Sequence, residues 1–288
     1  MRWRRAPAKV NLTLKVAGRR ADGFHDLESL VAFADASDWL GFSPGPGFAL
    51  AVEGPGASDT GPIEKNLVAR AARALAGRAP GLRMGAFRLI KRLPAAAGLG
   101  GGSSDAAACL RALAEANGLP LSDDRVVAAA AETGADVPVC LSACARMMAG
   151  VGERLGAPLR LPRLHAVLVN PRLALSTRDV FHALGLERGF RRGAEDDAPS
   201  VGEAGPSITV ESLASGGNDL EAAAQQVLPV VGAILDRLKR LPDARVARMS
   251  GSGATCFALF DAPEPARTAH AALAAEHPGW WIATTTLR

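Results

Sequence analysis

No uninterrupted apolar run in these 288 residues approaches the ~18 that a membrane-spanning helix needs. The basic start, Met1-Arg2-Trp3-Arg4-Arg5-Ala6-Pro7, leads into no apolar h-region, so a signal peptide is not expected. Cysteine is scarce. Cys109, Cys140, Cys144 and Cys256 form no CxxC pair and sit mostly among Ala, Val and Leu, which points to buried, reduced thiols in a cytoplasmic protein. Lysine supplies only five of the 33 basic residues. The arginines are scattered, so the net charge of +4 marks no nucleic-acid face and reads as mild attraction for anionic small molecules. No repeat is visible. A hydrophobic share of 48% and a charged share of 22% exclude a disordered, collagen-like or disulfide-scaffold chain. The length exceeds the usual single-core limit of roughly 250 residues, so two lobes are expected.

Lys9-Val10-Asn11-Leu12-Thr13-Leu14-Lys15-Val16 alternates strictly and predicts one half-buried strand with Lys9 and Asn11 on its polar face. Further strands are expected at 29–33, 48–52, 87–91, 164–169, 247–249, 255–260 and 281–285. Helices are expected at 66–75, 103–117, 122–132 with Ser122 as N-cap, 218–239 and 263–275. Residues 186–206 read as a long polar loop. Strands and helices interleave without strict βαβ order, so the fold class is α+β, with lobes 1–155 and 156–288.

The most informative stretch is Pro94-Ala95-Ala96-Ala97-Gly98-Leu99-Gly100-Gly101-Gly102-Ser103-Ser104-Asp105. Four glycines in five positions remove Cβ atoms where a backbone must turn or approach a ligand. The loop runs into a helix, whose free N–H groups and dipole favour an anion. Ser103 and Ser104 add hydroxyl donors and are placed to cap that helix. This is a phosphate cradle, but neither a Walker A loop, since no GK[ST] closes it, nor a dinucleotide fingerprint, since Ser103 stands where a third Gly is needed. Gly134-Ala135-Asp136-Val137-Pro138 adds a carboxylate, with Pro138 expected to keep Val137 extended. Ser250-Gly251-Ser252-Gly253 is a second glycine turn able to offer N–H groups. Of the rare lysines, Lys9 opens the alternating stretch at 9–16 and Lys91 lies three residues before the glycine loop, so neither reads as filler.

The Lys9 strand, the PxxxGLGGGSS loop at 94–104 and the GSGA turn at 251–254 resemble the GHMP kinase superfamily. Arg20-Ala21-Asp22-Gly23-Phe24-His25, Gly134 to Pro138, Gly150-Val151-Gly152-Glu153 and Asn218-Asp219-Leu220-Glu221 narrow the resemblance to its members acting on a cytidine diphosphate-linked methylerythritol. The resemblance implies a ribosomal protein S5 domain 2-like N-terminal lobe for ATP and a ferredoxin-like C-terminal lobe on the substrate side, with the substrate between them. It implies transfer of a phosphoryl group from ATP, with Mg²⁺, to the 2-hydroxyl of the methylerythritol, in the non-mevalonate supply of isoprenoid precursors. Carried over residue by residue, Asp136 is the general base and Lys9 its partner. Pro94 through Ser104 wrap the triphosphate, and Asn66, Lys91 and Pro94 lie on the nucleoside side. Phe24 and His25 hold the cytosine and Phe181 covers its other face, while Asn11 and Thr177 touch substrate. Relatives commonly carry Tyr where this chain has Phe24, so a phenolic hydrogen bond is lost. No metal ligand set stands out.

The chemistry is coherent without the family. A carboxylate that takes the alcohol proton gives general-base assistance of about 10²–10⁴-fold, and loop donors stabilise a transition state whose charge spreads over phosphoryl oxygens. Competing readings are another small-alcohol kinase of the superfamily, a non-catalytic nucleotide sensor, and an RNA-binding protein. The RADGFH segment argues against the first, the presence of Lys9 and Asp136 against the second, and the missing basic stripe against the third.

Overall fold

The computed structural model describes residues 1–192 and 208–288. In chain order the elements are β1 (Arg2–Asn11), β2 (Lys15–Arg19), β3 (His25–Pro44), β4 (Phe48–Glu53), α1 (Leu67–Arg78), β5 (Gly85–Ile90), α2 (Gly101–Ala116), α3 (Asp124–Thr133) and α4 (Val137–Ser142). There follow β6 (Arg146–Gly150), β7 (Arg154–Leu155), β8 (Leu164–Asn170), α5 (Thr177–Leu184), α6 (Val210–Ala214), α7 (Glu221–Val227), α8 (Val230–Lys239), β9 (Val246–Met249), β10 (Cys256–Phe260), α9 (Pro263–Glu276) and β11 (Trp281–Leu287). This is the expected α+β class.

Contacts divide the chain into two compact units: Met1–Lys9, Ser37–Ala95 and Gly100–Ala143 in the first, and Val10–Ala36, Ala96–Leu99 and Cys144–Arg288 in the second. The division interleaves along the chain, where the sequence reading makes a single cut at 155–156. In the first unit, the end of β3 pairs antiparallel with β5, Trp39 opposite Ile90, and β4 pairs parallel on the other side of β5. Helices α1 to α4 pack on one another through small residues. Ala69, Ala71, Ala72, Ala106, Ala107, Ala108, Ala129 and Ala130 are all buried, which lets the helix backbones approach closely.

In the second unit β8 lies between β10 and β11, all antiparallel, with β9 beyond β10. Val167, Val169, Ala258 and Phe260 point into a core closed by Val231, Ile234, Leu235 and Leu238 of α8 and by Ala266, Ala269 and Leu273 of α9. The first half of β3 pairs with β2 and β6.

Several expectations are corrected. The strand expected over 9–16 is two strands. The Thr13 hydroxyl accepts from the Leu30 N–H at 3.2 Å, replacing a ladder bond, so the chain steps between Asn11 and Lys15. Its polar face is not solvated: Lys9 is 5% and Asn11 2% exposed. Helix α2 starts at Gly101 with Gly100 as a left-handed N-cap (φ 59°), so neither Ser103 nor Ser104 caps it. Asp123, not Ser122, caps α3, accepting from the Arg125 N–H. Pro138 occupies the first turn of α4, where its missing N–H costs nothing, so Val137 is helical rather than extended. The helix expected over 218–239 is α7 and α8, split where Pro229 forces Leu228 out of helical geometry (φ −138°, ψ 88°). Of the polar loop expected at 186–206, residues 193–206 lie outside the described residues. The described part runs along β2: the Arg19 N–H donates to the Phe190 carbonyl at 2.8 Å and the Arg192 N–H to the Ala17 carbonyl at 2.9 Å.

Candidate active site

In the first unit the Lys9 ammonium lies 3.0 Å from Asp136 Oδ1. Lys9 comes from the buried end of β1, and Asp136 from the N-cap of α4. The Asp136 side chain makes no capping hydrogen bond and is 32% exposed, so one carboxylate oxygen remains open to a ligand. Gly100 closes the arrangement. A Cβ there would lie 3.3 Å from Lys9 Cβ and 3.7 Å from Asp136 Oδ2, and its φ of +59° is left-handed. Only glycine brings the helix N-terminus this near the pair without strain.

Other expected residues of this unit are spent on structure. Asn66 caps α1, its Oδ1 accepting from the Val68 N–H at 2.9 Å. Ser104 is fully buried, and its hydroxyl donates to the Pro7 carbonyl at 2.6 Å, so it is not turned toward a phosphate or a metal. The Lys91 ammonium is enclosed by Asp38 and by Asp105, the latter at 2.8 Å. Asp38 Oδ1 accepts from the Leu93 N–H at 2.9 Å and from the Arg92 N–H, so this cluster pins the chain just before the glycine loop. Burial works against the Lys91 charge, but the two carboxylates outweigh it and its pKa is raised. Burial first, and then the Asp38 charge, raise the Asp105 pKa against the opposing pull of Lys91. Sequence reasoning gives Asp38 no place and carries Asp105 only as the last residue of the glycine stretch, without a role. Asp105 directly follows the two serines, and that adjacency was the available signal.

In the second unit, Ala96 (φ 48°) and Gly98 (φ 73°) turn the loop. The Ser250 hydroxyl donates to the Gly98 carbonyl at 2.9 Å, and the Thr255 N–H to the Ala97 carbonyl at 3.2 Å. Asn218 holds the glycine turn from behind, donating to the Met249 and Gly251 carbonyls at 2.8 Å each. Thr177 Oγ1 and Ser252 Oγ are 2.8 Å apart.

Asn11 is more telling. The Ser29 hydroxyl gives its hydrogen to the Thr13 carbonyl at 2.6 Å. It must therefore accept from Asn11 Nδ2 at 2.7 Å, which settles the amide orientation. Asn11 Oδ1 is left buried with no partner, an acceptor waiting for a donor.

The RADGFH segment builds the turn between β2 and β3. Gly23 is left-handed (φ +95°), and Asp22 Oδ1 accepts from the Phe24 N–H at 3.0 Å. Phe24 is 63% exposed. His25 stacks on Phe181, with ring centroids 4.4 Å apart and planes 22° from parallel. A base between those two rings would need about 7 Å, two contact distances, so in this arrangement His25 itself covers one face of Phe181. Burial, and then the charge of Arg19, lower the His25 pKa, and Nε2 is buried without a partner.

The pattern of the GHMP kinases N terminal domain matches residues 66–143, and that of the GHMP kinases C terminal domain matches 206–279. The chain is 57% identical over 286 residues to a 4-diphosphocytidyl-2-C-methyl-D-erythritol kinase of Methylobacterium radiotolerans, covering 99% of this chain and 98% of the relative. It is 55% identical to the enzyme of that name from Rhodopseudomonas palustris, covering 96% and 94%. The chain belongs to the 4-diphosphocytidyl-2-C-methyl-D-erythritol kinase family of GHMP kinases. A crystal structure of 4-(cytidine 5'-diphospho)-2C-methyl-D-erythritol kinase superposes on it with a TM-score of 0.77 at 36% identity, covering 99% of both chains. For a GHMP kinase of this family, the segments that narrowed the sequence reading are also those that build the turn at Phe24, the Asp136 N-cap and the support of the 250–253 turn. Among the described residues no helix is long and apolar enough to cross a membrane, and the four cysteines are free.

Proposed function

We propose that this chain transfers the γ-phosphoryl group of ATP to the 2-hydroxyl of 4-diphosphocytidyl-2-C-methyl-D-erythritol, giving the 2-phosphate and ADP, in non-mevalonate isoprenoid precursor biosynthesis in the cytoplasm. The observation that carries the mechanism is the Lys9–Asp136 pair at 3.0 Å beside the left-handed Gly100. The free Asp136 oxygen accepts the alcohol proton as the alcohol oxygen bonds to the γ-phosphorus and the bond from that phosphorus to the β–γ bridging oxygen breaks. Lys9 holds the carboxylate in place. Residues 94–104 cradle the triphosphate with N–H groups and the N-terminus of α2, which meet the charge spread over the phosphoryl oxygens. Asn11 Oδ1 takes a substrate hydroxyl hydrogen, Thr177 adds a hydroxyl, and Phe24, His25 and Phe181 bind the cytosine.

Among the described residues no three His, Cys, Asp or Glu side chains form a metal-binding group, and the Ser104 hydroxyl is committed elsewhere. Mg²⁺ bound with the nucleotide would supply charge neutralisation for the triphosphate, for which one or two protein ligands beside the phosphates suffice, and no step is assigned to it. The test is Asp136→Asn, which keeps the shape and removes the basicity. The expected result is a kcat lower by roughly 10²-fold or more with a small change in ATP KM. A fall under about threefold would leave positioning and charge alone to run the reaction.

A further inference from the structure

Arg111, in the middle of α2, has no role in the chemistry described so far, yet its guanidinium is drawn into the protein. Burial lowers its pKa, and among the described residues it has no carboxylate at ion-pair distance. It is surrounded by backbone carbonyls instead. Nη1 donates to the Cys140 carbonyl at 2.7 Å and the Leu141 carbonyl at 3.2 Å, and Nη2 donates to the Arg5 carbonyl at 3.0 Å. The first two belong to the last turn of α4, whose N-cap position is Asp136. The third belongs to β1, four residues before Lys9. One planar fork thus holds both elements that carry the Lys9–Asp136 pair.

Ser104 repeats the connection. Its hydroxyl donates to the Pro7 carbonyl of β1 at 2.6 Å and lies 3.3 Å from Cys140 Sγ of α4. Ser104 and Arg111 are seven residues apart, two helical turns, and so share one face of α2. The N-cap of the same helix, Gly100, lies against the pair.

A half-buried cation without a counter-carboxylate is an expensive way to pack two elements; an apolar side chain would do it at less cost. What the guanidinium adds is direction. Its donors are fixed in a plane, and two of its acceptors are carbonyls at a helix C-terminus, where partial negative charge is concentrated.

We propose that Arg111, seconded by the Ser104 hydroxyl, is a positioning residue for phosphoryl transfer: it ties α4 and β1 to one face of α2 and so sets the placement of Asp136 and Lys9 relative to the helix N-terminus. This rests on the reading of Asp136 as the base. It also moves the Ser104 hydroxyl from nucleotide binding to alignment of the pair.

Steady-state kinetics and thermal unfolding of Arg111→Met, Arg111→Lys, Ser104→Ala and Asp136→Asn test it. A shift of about 1 Å in a reacting group costs up to ~10²-fold in rate. Arg111→Met is therefore expected to lower kcat by about 10- to 100-fold with both KM values within about threefold of wild type. Arg111→Lys, which keeps charge without the fork, should recover part of the loss. Ser104→Ala should lower kcat by about 3- to 10-fold with ATP KM unchanged. A purely structural role predicts a lower Tm with normal kcat in the folded fraction, and that result in Arg111→Met overturns the proposal. If Arg111→Met does not fold, the decision passes to the other two: wild-type kcat in Arg111→Lys and Ser104→Ala, or a loss confined to ATP KM in Ser104→Ala, overturns it. Asp136→Asn separates the two levels. An active Asp136→Asn removes the base assignment itself, whereas an inactive Asp136→Asn beside a fully active Arg111→Met removes only the tie.

Discussion

Lys91→Met puts a number on what the buried charge cluster does. The Lys91 side chain is 4% exposed, Asp38 0% and Asp105 3%. Without the ammonium, two carboxylates face one another out of water. Breaking a buried ion pair by removing one partner costs about 3–5 kcal/mol, and here one cation serves two anions, so the upper part of that range applies. For a chain of this size each kcal/mol moves Tm by about 2–4 °C, so a fall of roughly 10 °C or more is expected near pH 8. Near pH 5 the deficit should shrink, because the stranded carboxylates take up protons.

Asp105→Asn is the matched contrast. Asp105 Oδ1 is already buried without a partner, and the Lys91–Asp38 pair survives the change. The Asp105 pKa is raised above its ordinary value of 3.8. Between the two values the folded protein keeps a proton that the unfolded chain has released. Stability therefore falls as pH rises through that window, and the cost is complete above it. Asparagine removes the cost, so the Tm of Asp105→Asn relative to wild type should rise from pH 5 to pH 8. Thermal unfolding of the three proteins at both pH values is the assay, with ATP KM measured on the same preparations. A Tm loss under about 3 °C in Lys91→Met with a large rise in ATP KM would mean that Lys91 contacts the nucleotide directly. A relative Tm of Asp105→Asn that falls with pH would refute the electrostatic account.

The glycine loop and the Asp136 turn were legible because each depends on short-range pattern, Cβ-free positions in one and a carboxylate two residues before proline in the other; period-two alternation put Lys9 on a strand but ran that strand through the break between Asn11 and Lys15. Partners were not legible. Arg111 and Arg5 are 106 residues apart, Asn218 and Gly251 33, Lys91 and Asp38 53, and no local pattern reports which donor meets which carbonyl. Alternation placed Lys9 and Asn11 on the polar face of their strand, but not that this face is buried. Periodicity carried one helix through Pro229, because an apolar spacing can continue in register across a break that the backbone does not tolerate. Asn66 and Ser104 show the same limit at the site: resemblance marks the position, while the hydroxyl or amide is spent on a cap or a strand carbonyl.

Gly98→Ala should raise ATP KM by at least about tenfold and lower Tm, because a Cβ at Gly98 would meet the Ser250 carbonyl oxygen at 2.4 Å with φ +73°; an unchanged ATP KM would detach the loop from nucleotide binding. His25→Ala and Phe181→Ala should each raise the KM for the cytidylyl substrate by roughly 5- to 100-fold, since a stacked or hydrogen-bonded base is worth about 1–3 kcal/mol, while ATP KM stays within about twofold. The His25–Phe181 stack adds a pH test. Burial holds the His25 pKa below 6.5, so the ring is neutral at pH 7 and Nε2 is buried without a partner. Removing the Phe181 ring exposes the imidazole, and its pKa, followed by NMR, should move up toward 6.5. In the wild type the substrate KM should then rise as pH falls through the lowered His25 pKa, where the second ring nitrogen gains a proton and its acceptor is lost. In His25→Ala that rise should disappear. A core role for both rings predicts lower Tm with substrate KM and its pH dependence unchanged, and that outcome would leave cytidine recognition to Phe24 and residues not yet named.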